Sequence, residues 1–193
     1  MRKKLTEVKQ ARLNVILDEA TKLLIEKPTA SMNEIADAAG IGVATLHRYV
    51  ESREQLMIYL GLRAIEVVDD TMRSIPVDDE HCESYIPALI EALIPLGDKI
   101  HFLAHDATIN HNEEVERADQ KLREPVLHVV GLLQAKGHFR ANVDRGWIVN
   151  VLYSLLFLAW QQVASGDIAR KSAAALVVDT FYNGFKTKDQ AKD

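Results

Sequence analysis

Apolar residues recur along this chain at intervals of three and four, the spacing of an α-helix that buries one face. The first such stripe ends before Pro28, because proline has no backbone N–H and interrupts a helix. No segment alternates between apolar and polar residues in the manner of a half-buried strand. An all-α fold is therefore predicted. The first helix is expected to bury Leu13, Ile16, Leu17, Ala20 and Leu24.

Two capping signals mark the starts of further helices. Ser31-Met-Asn-Glu34 and Ser52-Arg-Glu-Gln55 both have the form of a capping box, whose two side chains bond free backbone N–H groups at a helix start. The helix after the first box is short, because Gly40 can take the left-handed conformation that ends helices. Another short helix is predicted over residues 43–50. The second box opens a long helix that reaches about Arg73.

The rest of the chain continues the helical pattern, with glycine and proline between the segments. Pro125 is expected to kink or split one of these helices. The predicted helices cover about 80–94, 96–106, 113–136, 144–164 and 168–184. The predicted architecture has about nine helices: a three-helix head with a helix-turn-helix in residues 1–55, then a larger helical bundle in residues 56–193.

Composition and charge fit a globular protein with a local preference for a polyanion. Apolar residues make up 48% of the chain and charged residues 26%. The net charge of −5 argues against a protein that coats nucleic acid indiscriminately. The first twelve residues are nevertheless basic, with Glu7 as their only acidic residue, which suits contact of this end with DNA. Their basic residues are Arg2, Lys3, Lys4, Lys9 and Arg12.

Cysteine content and apolar runs predict a cytoplasmic protein. Cys82 is the single cysteine, so no internal disulfide is possible, which fits a reducing compartment. The basic start is not followed by the uninterrupted apolar run of a secretory signal. The most apolar stretch, residues 147–164, contains Asn150 and Gln161 among other polar residues, and we interpret it as a buried helix rather than a membrane span.

The two short helices around Gly40-Ile41-Gly42 have the proportions of a helix-turn-helix. The second helix of such a motif lies in the major groove of DNA. At 100° per residue, one side of this helix is expected to face the core through Val43, Leu46 and Val50. The opposite side points outward through Ala44, Thr45 and Arg48, flanked by His47 and Tyr49. A helical hairpin that belongs to the bundle has the same geometry, so spacing alone leaves both alternatives open.

The residues of this segment resemble a known DNA-binding sequence. The stretch from Ser31 to Leu56 contains Glu-Ile-Ala, a glycine turn, Thr-Leu-His-Arg-Tyr and Ser-Arg-Glu-Gln-Leu, and it is similar to the DNA-binding segment of the TetR family of regulators. The similarity is specific over about residues 11–60, and the turn at 137–144 also resembles the family. Three positions depart from the pattern: His47 replaces a tyrosine, Gly42 a serine and Val50 a phenylalanine.

The resemblance implies a sequence-specific transcriptional regulator, most simply a repressor released from a palindromic operator by a small molecule. Phosphate contacts would fix the register, and base-edge contacts would read the sequence. The base-edge contacts implied are Asn33, Val43, Ala44 and Arg48. The phosphate contacts implied are Thr45, His47, Tyr49 and Arg53.

The resemblance also implies a homodimer, formed through the last two helices. Helix 144–164 is apolar nearly all round, which a surface helix does not tolerate. The small residues Ala173 to Ala175 permit a close helix approach. A monomer core could use the same residues, but isologous pairing is the commonest oligomer, and the dimer is therefore favoured.

The larger bundle is expected to bind a small, mainly apolar organic effector. Aromatic and histidine side chains would line the pocket, although each of them also suits a plain core. The candidate wall comprises Tyr85, His101, Phe102, His105, Trp147, Tyr153, Phe157 and Trp160. Polar groups that could orient the effector are Asn150, Ser154 and His105.

Metal binding and catalysis have weaker signals. His101 and His105 lie one helical turn apart, with Asp106 and His111 near, a spacing that can chelate a metal but here lacks a fixed third ligand. No Glu-x-x-His pair, complete dinucleotide loop, Walker loop or nucleophile elbow is present. We expect no cofactor, no metal and no enzymatic activity. A helical scaffold that binds only protein is the remaining alternative, and it predicts no salt-dependent affinity for DNA.

Overall fold

The described part of the chain is mainly α-helical. The computed structural model describes residues 7–100, 109 and 111–185, without the side chains of 98 and 99. No β-strand occurs within these residues, and the predicted all-α class is confirmed. The helices are α1 (Glu7–Glu26), α2 (Met32–Ala38), α3 (Val43–Leu46), α4 (Arg53–Arg73), α5 (Tyr85–Leu93), α6 (Gly97–Ile100), α7 (Glu113–Ala135), α8 (Arg145–Ala164) and α9 (Arg170–Phe185). Short 3₁₀ helices cover Cys82–Ser84 and Ile94–Leu96.

The described residues divide into two compact units. One comprises residues 7–64, 109 and 111–116, and the other comprises residues 65–100 and 117–185. Helices α4 and α7 each contribute residues to both units. The domain boundary predicted near residue 55 lies close to the start of α4 and stays a prediction.

In the first unit, α1 packs against α2 and α2 packs against α3. The five apolar residues of the predicted stripe are all buried on α1. They are joined in the core by Ile35 and Ala36 of α2 and by Leu46 of α3. Burial of one apolar face on each short helix therefore holds the three-helix head together, because helices of this length are marginal on their own.

The predicted capping box at the start of α2 is present in full. The backbone N–H of Glu34 donates to the Ser31 hydroxyl over 3.3 Å, and the backbone N–H of Ser31 donates to the Glu34 carboxylate over 2.9 Å. Lys27 also pairs with this carboxylate. The Lys27 hydrogen bond and the two Ser31 donors lower the pKa of Glu34 to about 2, so the carboxylate stays charged at any physiological pH.

At the start of α4, Ser52 and Gln55 form one of the two hydrogen bonds of the predicted capping box, and the other bond has a different partner. The N–H of Gln55 donates to the Ser52 hydroxyl over 3.1 Å, as predicted. The Gln55 side chain accepts instead from the N–H of Glu51, over 2.7 Å. Both bonds satisfy backbone donors that the first turn of a helix leaves free.

The second unit packs α8 against α9 and α9 against α5, while α6 lies on α8. Gly97 of α6 permits this contact, because a Cβ atom at that position would lie 2.1 Å from Cδ1 of Trp160. The indole N–H of Trp160 donates to the carbonyl of Leu93 over 3.1 Å.

Helix α8 is long and apolar enough to cross a membrane by length and composition alone. Its buried face nevertheless lies in the core of this unit, as in the core helix of a globular protein.

Three predicted elements differ from those observed. The helix expected over 43–50 ends at Leu46, after which the N–H groups of Arg48 and Tyr49 bond three residues back, as in a tightened last turn. Pro125 lies inside α7 without splitting it. The segment 80–94 divides into a 3₁₀ turn and α5. Pro87, at the third position of α5, falls in the first turn, where a missing N–H costs little. The predicted helix 96–106 lies largely outside the described residues.

Candidate nucleic-acid interface

A sharp turn connects α2 to α3. Gly40 has a φ of +64°, the left-handed conformation that glycine adopts without strain. The N–H of Gly40 bonds the carbonyl of Asp37, and the N–H of Ile41 bonds the carbonyl of Ala36, each over 3.0 Å. These bonds close the end of α2 and redirect the chain. Buried Leu46 and Val50 then hold the second element of the motif against the core.

The outward surface of α3 is small and apolar at its centre. Ala44 and Arg48 are exposed, as predicted, and Thr45 is half-buried. Val43 is 37% exposed, so its predicted place in the core is wrong. Val43 is the first residue of the one-turn helix α3, and the buried residue of this helix is Leu46. Its exposure agrees with the base-edge position that the family resemblance implies for it. Asn33 is also exposed, on α2.

His47 is exposed and has a defined ring orientation. Its Nδ1 lies 3.2 Å from the carbonyl oxygen of Glu51. A carbonyl only accepts hydrogen bonds, so Nδ1 carries the proton in this contact. The neutral ring is therefore left with Nε2 as an acceptor. While Nδ1–H keeps this contact, only the protonated ring also offers Nε2–H as a donor to a phosphate.

Tyr49 lies beside a basic residue of α1. The Lys9 ammonium lies over the Tyr49 ring, 5.8 Å from its centroid, and Tyr49 itself is half-buried. Lys9 is exposed and belongs to the basic N-terminal stretch, but the sequence did not single it out as a contact residue. The uneven charge of the first twelve residues was the available signal. Arg2, Lys3 and Lys4 lie outside the described residues.

Arg53 is engaged within the head. Its guanidinium donates to the carbonyl oxygens of Ala30 and, over 2.7 Å, of Pro28. These carbonyls lie between α1 and α2 and have no helical partner there. Arg53 therefore fixes the turn that precedes α2. Its role as a phosphate contact stays a prediction.

The candidate effector residues fall into a buried and an exposed set. Tyr85 of α5 is buried with Tyr153 and Trp160 of α8. The exposed set lies along α8 and comprises Trp147, Asn150, Ser154 and Phe157. His101, Phe102, His105 and Asp106 lie outside the described residues, and His111 is exposed. Among the described residues, no group of three or more His, Cys, Asp or Glu side chains could hold a metal ion.

Arg123 of α7 connects the two sets. Its Nε donates to Asp119 over 2.6 Å, and another N–H donates to Oδ1 of Asn150 over 2.8 Å. The guanidinium lies over the ring of Tyr153, 4.4 Å from the centroid. The Ser154 hydroxyl donates to the carbonyl of Asn150 over 2.8 Å. Sequence reasoning missed Arg123, because one arginine in a charged helix carries no positional signal.

Residues 16–60 match the family model described as bacterial regulatory proteins of the tetR family. This match covers the whole helix-turn-helix, including the exposed surface of α3. Residues 16–60 are therefore a DNA-binding segment of the TetR type. The predicted family is confirmed, and with it a DNA-binding transcriptional regulator.

A curated relative of this chain is a regulator as well. The chain is 28% identical over 158 residues to the HTH-type transcriptional repressor LfrR of Mycolicibacterium smegmatis, and the alignment covers 78% of each chain. This relative is a transcriptional regulator rather than an enzyme.

Solved structures share the fold over nearly the whole chain. The crystal structure of LfrR from Mycobacterium smegmatis in complex with proflavine has a TM-score of 0.74 at 22% identity, and covers 92% of this chain and 98% of that one. A TetR family transcription regulator from Marinobacter aquaeolei VT8 has a TM-score of 0.70 at 16% identity, covering 95% and 100%. The ketosteroid regulator KstR2 of Mycobacterium tuberculosis has a TM-score of 0.65 at 14% identity, covering 92% and 96%.

Proposed function

We propose that this regulator is a repressor whose release from DNA is caused by a small, mainly apolar organic molecule. Repression is supported by the similarity to LfrR, which is named a transcriptional repressor. The proposed site of DNA contact is the exposed surface of α3, with Asn33 and Arg53 from the flanking elements. The protein would act in the cytoplasm, where its DNA lies, and without enzymatic activity.

The observation that carries the dimeric form of this repressor is the exposed apolar stripe on α8. Trp147 is 62% exposed, Phe157 40% and Leu158 52%, although each is large and apolar. They recur at helical spacing on the side of α8 opposite its buried face. Large apolar side chains exposed at this spacing favour an interaction surface, although exposed Asn150 and Ser154 lie between them. We propose that it pairs with the same stripe of a second copy and, together with exposed Leu176 of α9, forms a homodimer.

The two-fold dimer would present two identical recognition helices to a palindromic operator. Half-sites on one face of DNA are spaced by about 34–36 Å, or one helical turn, or by a multiple of it. An effector that binds more tightly to a dimer with a different spacing shifts the population away from the DNA-binding state. Tenfold release needs a differential affinity of about 1.4 kcal/mol.

An organic effector is favoured by the chemistry of the buried set and by one relative. Tyr85, Tyr153 and Trp160 offer apolar ring surface with single polar atoms, which is the composition of small-molecule sites. LfrR has been crystallised with proflavine, an aromatic organic compound. Burial of apolar area would supply most of the affinity, at about 25 cal/mol per Å².

The test compares the release of DNA by organic compounds and by metal ions. Fluorescence anisotropy of labelled DNA from upstream of the regulator's own gene measures binding, first without additives and then with proflavine, other apolar compounds, zinc, copper or nickel. We expect tenfold or greater release by at least one organic compound. A titration of each compound into the labelled DNA without protein shows any direct effect of the compound on the DNA signal. Release by metals only, lost on His101→Ala with His105→Ala, would contradict the organic effector.

A further inference from the structure

The Tyr153 hydroxyl is buried without a hydrogen-bond partner. The residue is only 8% exposed, and its oxygen is shielded from solvent and finds no donor or acceptor in the structure as described. Buried polar side-chain atoms nearly always have a partner, because desolvation without one is unfavourable. A phenylalanine would fill the same volume without that penalty. The hydroxyl therefore points to a partner supplied from outside the chain.

Arg123 does not supply that partner. Its guanidinium lies over the face of the ring, 4.4 Å from the centroid, and makes no hydrogen bond with the hydroxyl. A guanidinium also carries donors only, so an acceptor for the hydroxyl proton has to come from another group. Two of its N–H groups are already bonded to Asp119 and Asn150, and these bonds hold the group over the face of the Tyr153 ring. The arrangement fixes the ring and leaves the hydroxyl free as a donor.

The local charge indicates what kind of atom would accept this bond. Burial raises the pKa of Tyr153, so the hydroxyl keeps its proton. Of the neighbouring charges, the Arg123 cation acts on the hydroxyl more strongly than the Asp119 anion. A cation near the site favours the negative end of a ligand dipole. Carbonyl oxygens, ether oxygens and aromatic ring nitrogens are neutral acceptors of this type.

We propose that the hydroxyl of Tyr153 donates a hydrogen bond to the effector and selects neutral apolar molecules that carry one acceptor atom. This inference rests on the proposed function, in which the effector is an organic molecule bound in the larger bundle. A site with a committed donor rejects an analogue that lacks the acceptor, because the donor is then left unpaired.

The test uses 9-fluorenone and fluorene, two flat molecules of nearly equal shape of which only fluorenone has a carbonyl. Isothermal titration of the full chain measures both dissociation constants. We expect wild-type protein to bind fluorenone about tenfold more tightly. Tyr153→Phe should bind the two compounds about equally. The carbonyl stretch of bound fluorenone gives a second readout, since it should lie at lower frequency in wild-type protein than in the variant.

Tyr182→Phe is the matched control. The Tyr182 hydroxyl is already satisfied, because it donates to the carbonyl of Glu83 over 3.1 Å. This variant should keep the tenfold preference and lose thermal stability, whereas Tyr153→Phe should melt no lower than wild type. Equal binding of both compounds by wild-type protein, or an unchanged preference and carbonyl band in Tyr153→Phe, overturns the inference and leaves the organic effector standing. If neither compound binds wild-type protein up to its solubility limit while metals alone release DNA, both proposals fail.

Discussion

His47 stands where the family pattern has a tyrosine, and its predicted contact with a phosphate depends on protonation of the ring. Its Nδ1–H is committed to the carbonyl of Glu51, so the ring can donate to a phosphate only when Nε2 is protonated. DNA binding should therefore tighten when the pH is lowered, by up to about tenfold, or about 1.4 kcal/mol. Anisotropy titrations of operator DNA at several pH values measure this change.

His47→Gln is the control for this dependence, because glutamine keeps a polar side chain without a titrating group. The variant should bind with a flatter pH profile. A profile identical to that of the wild type would assign the effect to another group. Low salt is used throughout, because screening weakens phosphate contacts.

Arg48 and Tyr49 are adjacent in sequence but should affect DNA binding differently. Arg48 is exposed on the outward surface of α3, whereas Tyr49 is half-buried beneath the Lys9 ammonium at its flank. Arg48→Ala should cost about 1–3 kcal/mol on the operator and relax the choice of base. Tyr49→Ala should weaken binding to all sequences alike, as loss of a backbone contact does. Competition with single-base operator variants separates the two patterns, and wild-type affinities in both variants would refute the assignment.

At the scale of the element, sequence reasoning succeeded where local rules decide the structure. The α1 stripe, the Ser31 box and the Gly40 turn depend on spacing, capping and backbone conformation, all of which can be read within a few residues. The end of α3 was predicted four residues too late. Residues beyond Leu46 continue in a 3₁₀-type turn that still buries Val50, so the apolar spacing is the same in both conformations.

Contacts between residues far apart in the chain could not be predicted from spacing, capping and backbone conformation within a few residues. Gly97 gave no sequence signal, yet its missing side chain lets the Trp160 ring approach α6. The same is true of Arg53, whose bonds to Pro28 and Ala30 join residues more than twenty positions apart. Such pairs follow from tertiary packing, which the composition of either segment does not determine.

Gly97→Ala tests how much the close contact between Gly97 and the Trp160 ring contributes to stability. A methyl group there overlaps the Trp160 ring, so we expect a loss of about 1–3 kcal/mol in the free energy of unfolding, measured by urea denaturation. Gly184→Ala is a matched control near the end of α9, where an added Cβ meets no atom within 4 Å. That variant should be about as stable as the wild type or more stable, by up to about 1 kcal/mol. Equal stability of the two variants would show that Trp160 yields without cost.

At the scale of the whole molecule, the sequence anticipated an apolar α8 but not which residues would be exposed. Its apolar residues divide between the core and the exposed stripe, and periodicity alone could not assign Trp147 and Phe157 to either. They were predicted to line an effector pocket. Their exposure suits the proposed dimer contact, while their role toward an effector stays a prediction.

Leu158→Glu tests the dimer. A carboxylate in the centre of an apolar contact between two copies would be desolvated, so the variant should be monomeric by light scattering at micromolar concentration. Val67→Glu on α4 replaces another exposed apolar residue away from the stripe and should leave the mass unchanged. A wild-type protein that is itself monomeric would contradict the dimer directly.

The two tryptophans give this molecule a pair of built-in optical reporters. Trp160 is buried with its N–H bonded to Leu93, while Trp147 faces outward on the stripe of α8. In dilute monomeric Leu158→Glu protein, iodide should quench the red-shifted emission of Trp147 and leave the blue-shifted emission of Trp160. Association of two copies would shield Trp147, so quenching read against protein concentration follows assembly without any label. Loss of the blue-shifted component reports unfolding separately from dissociation.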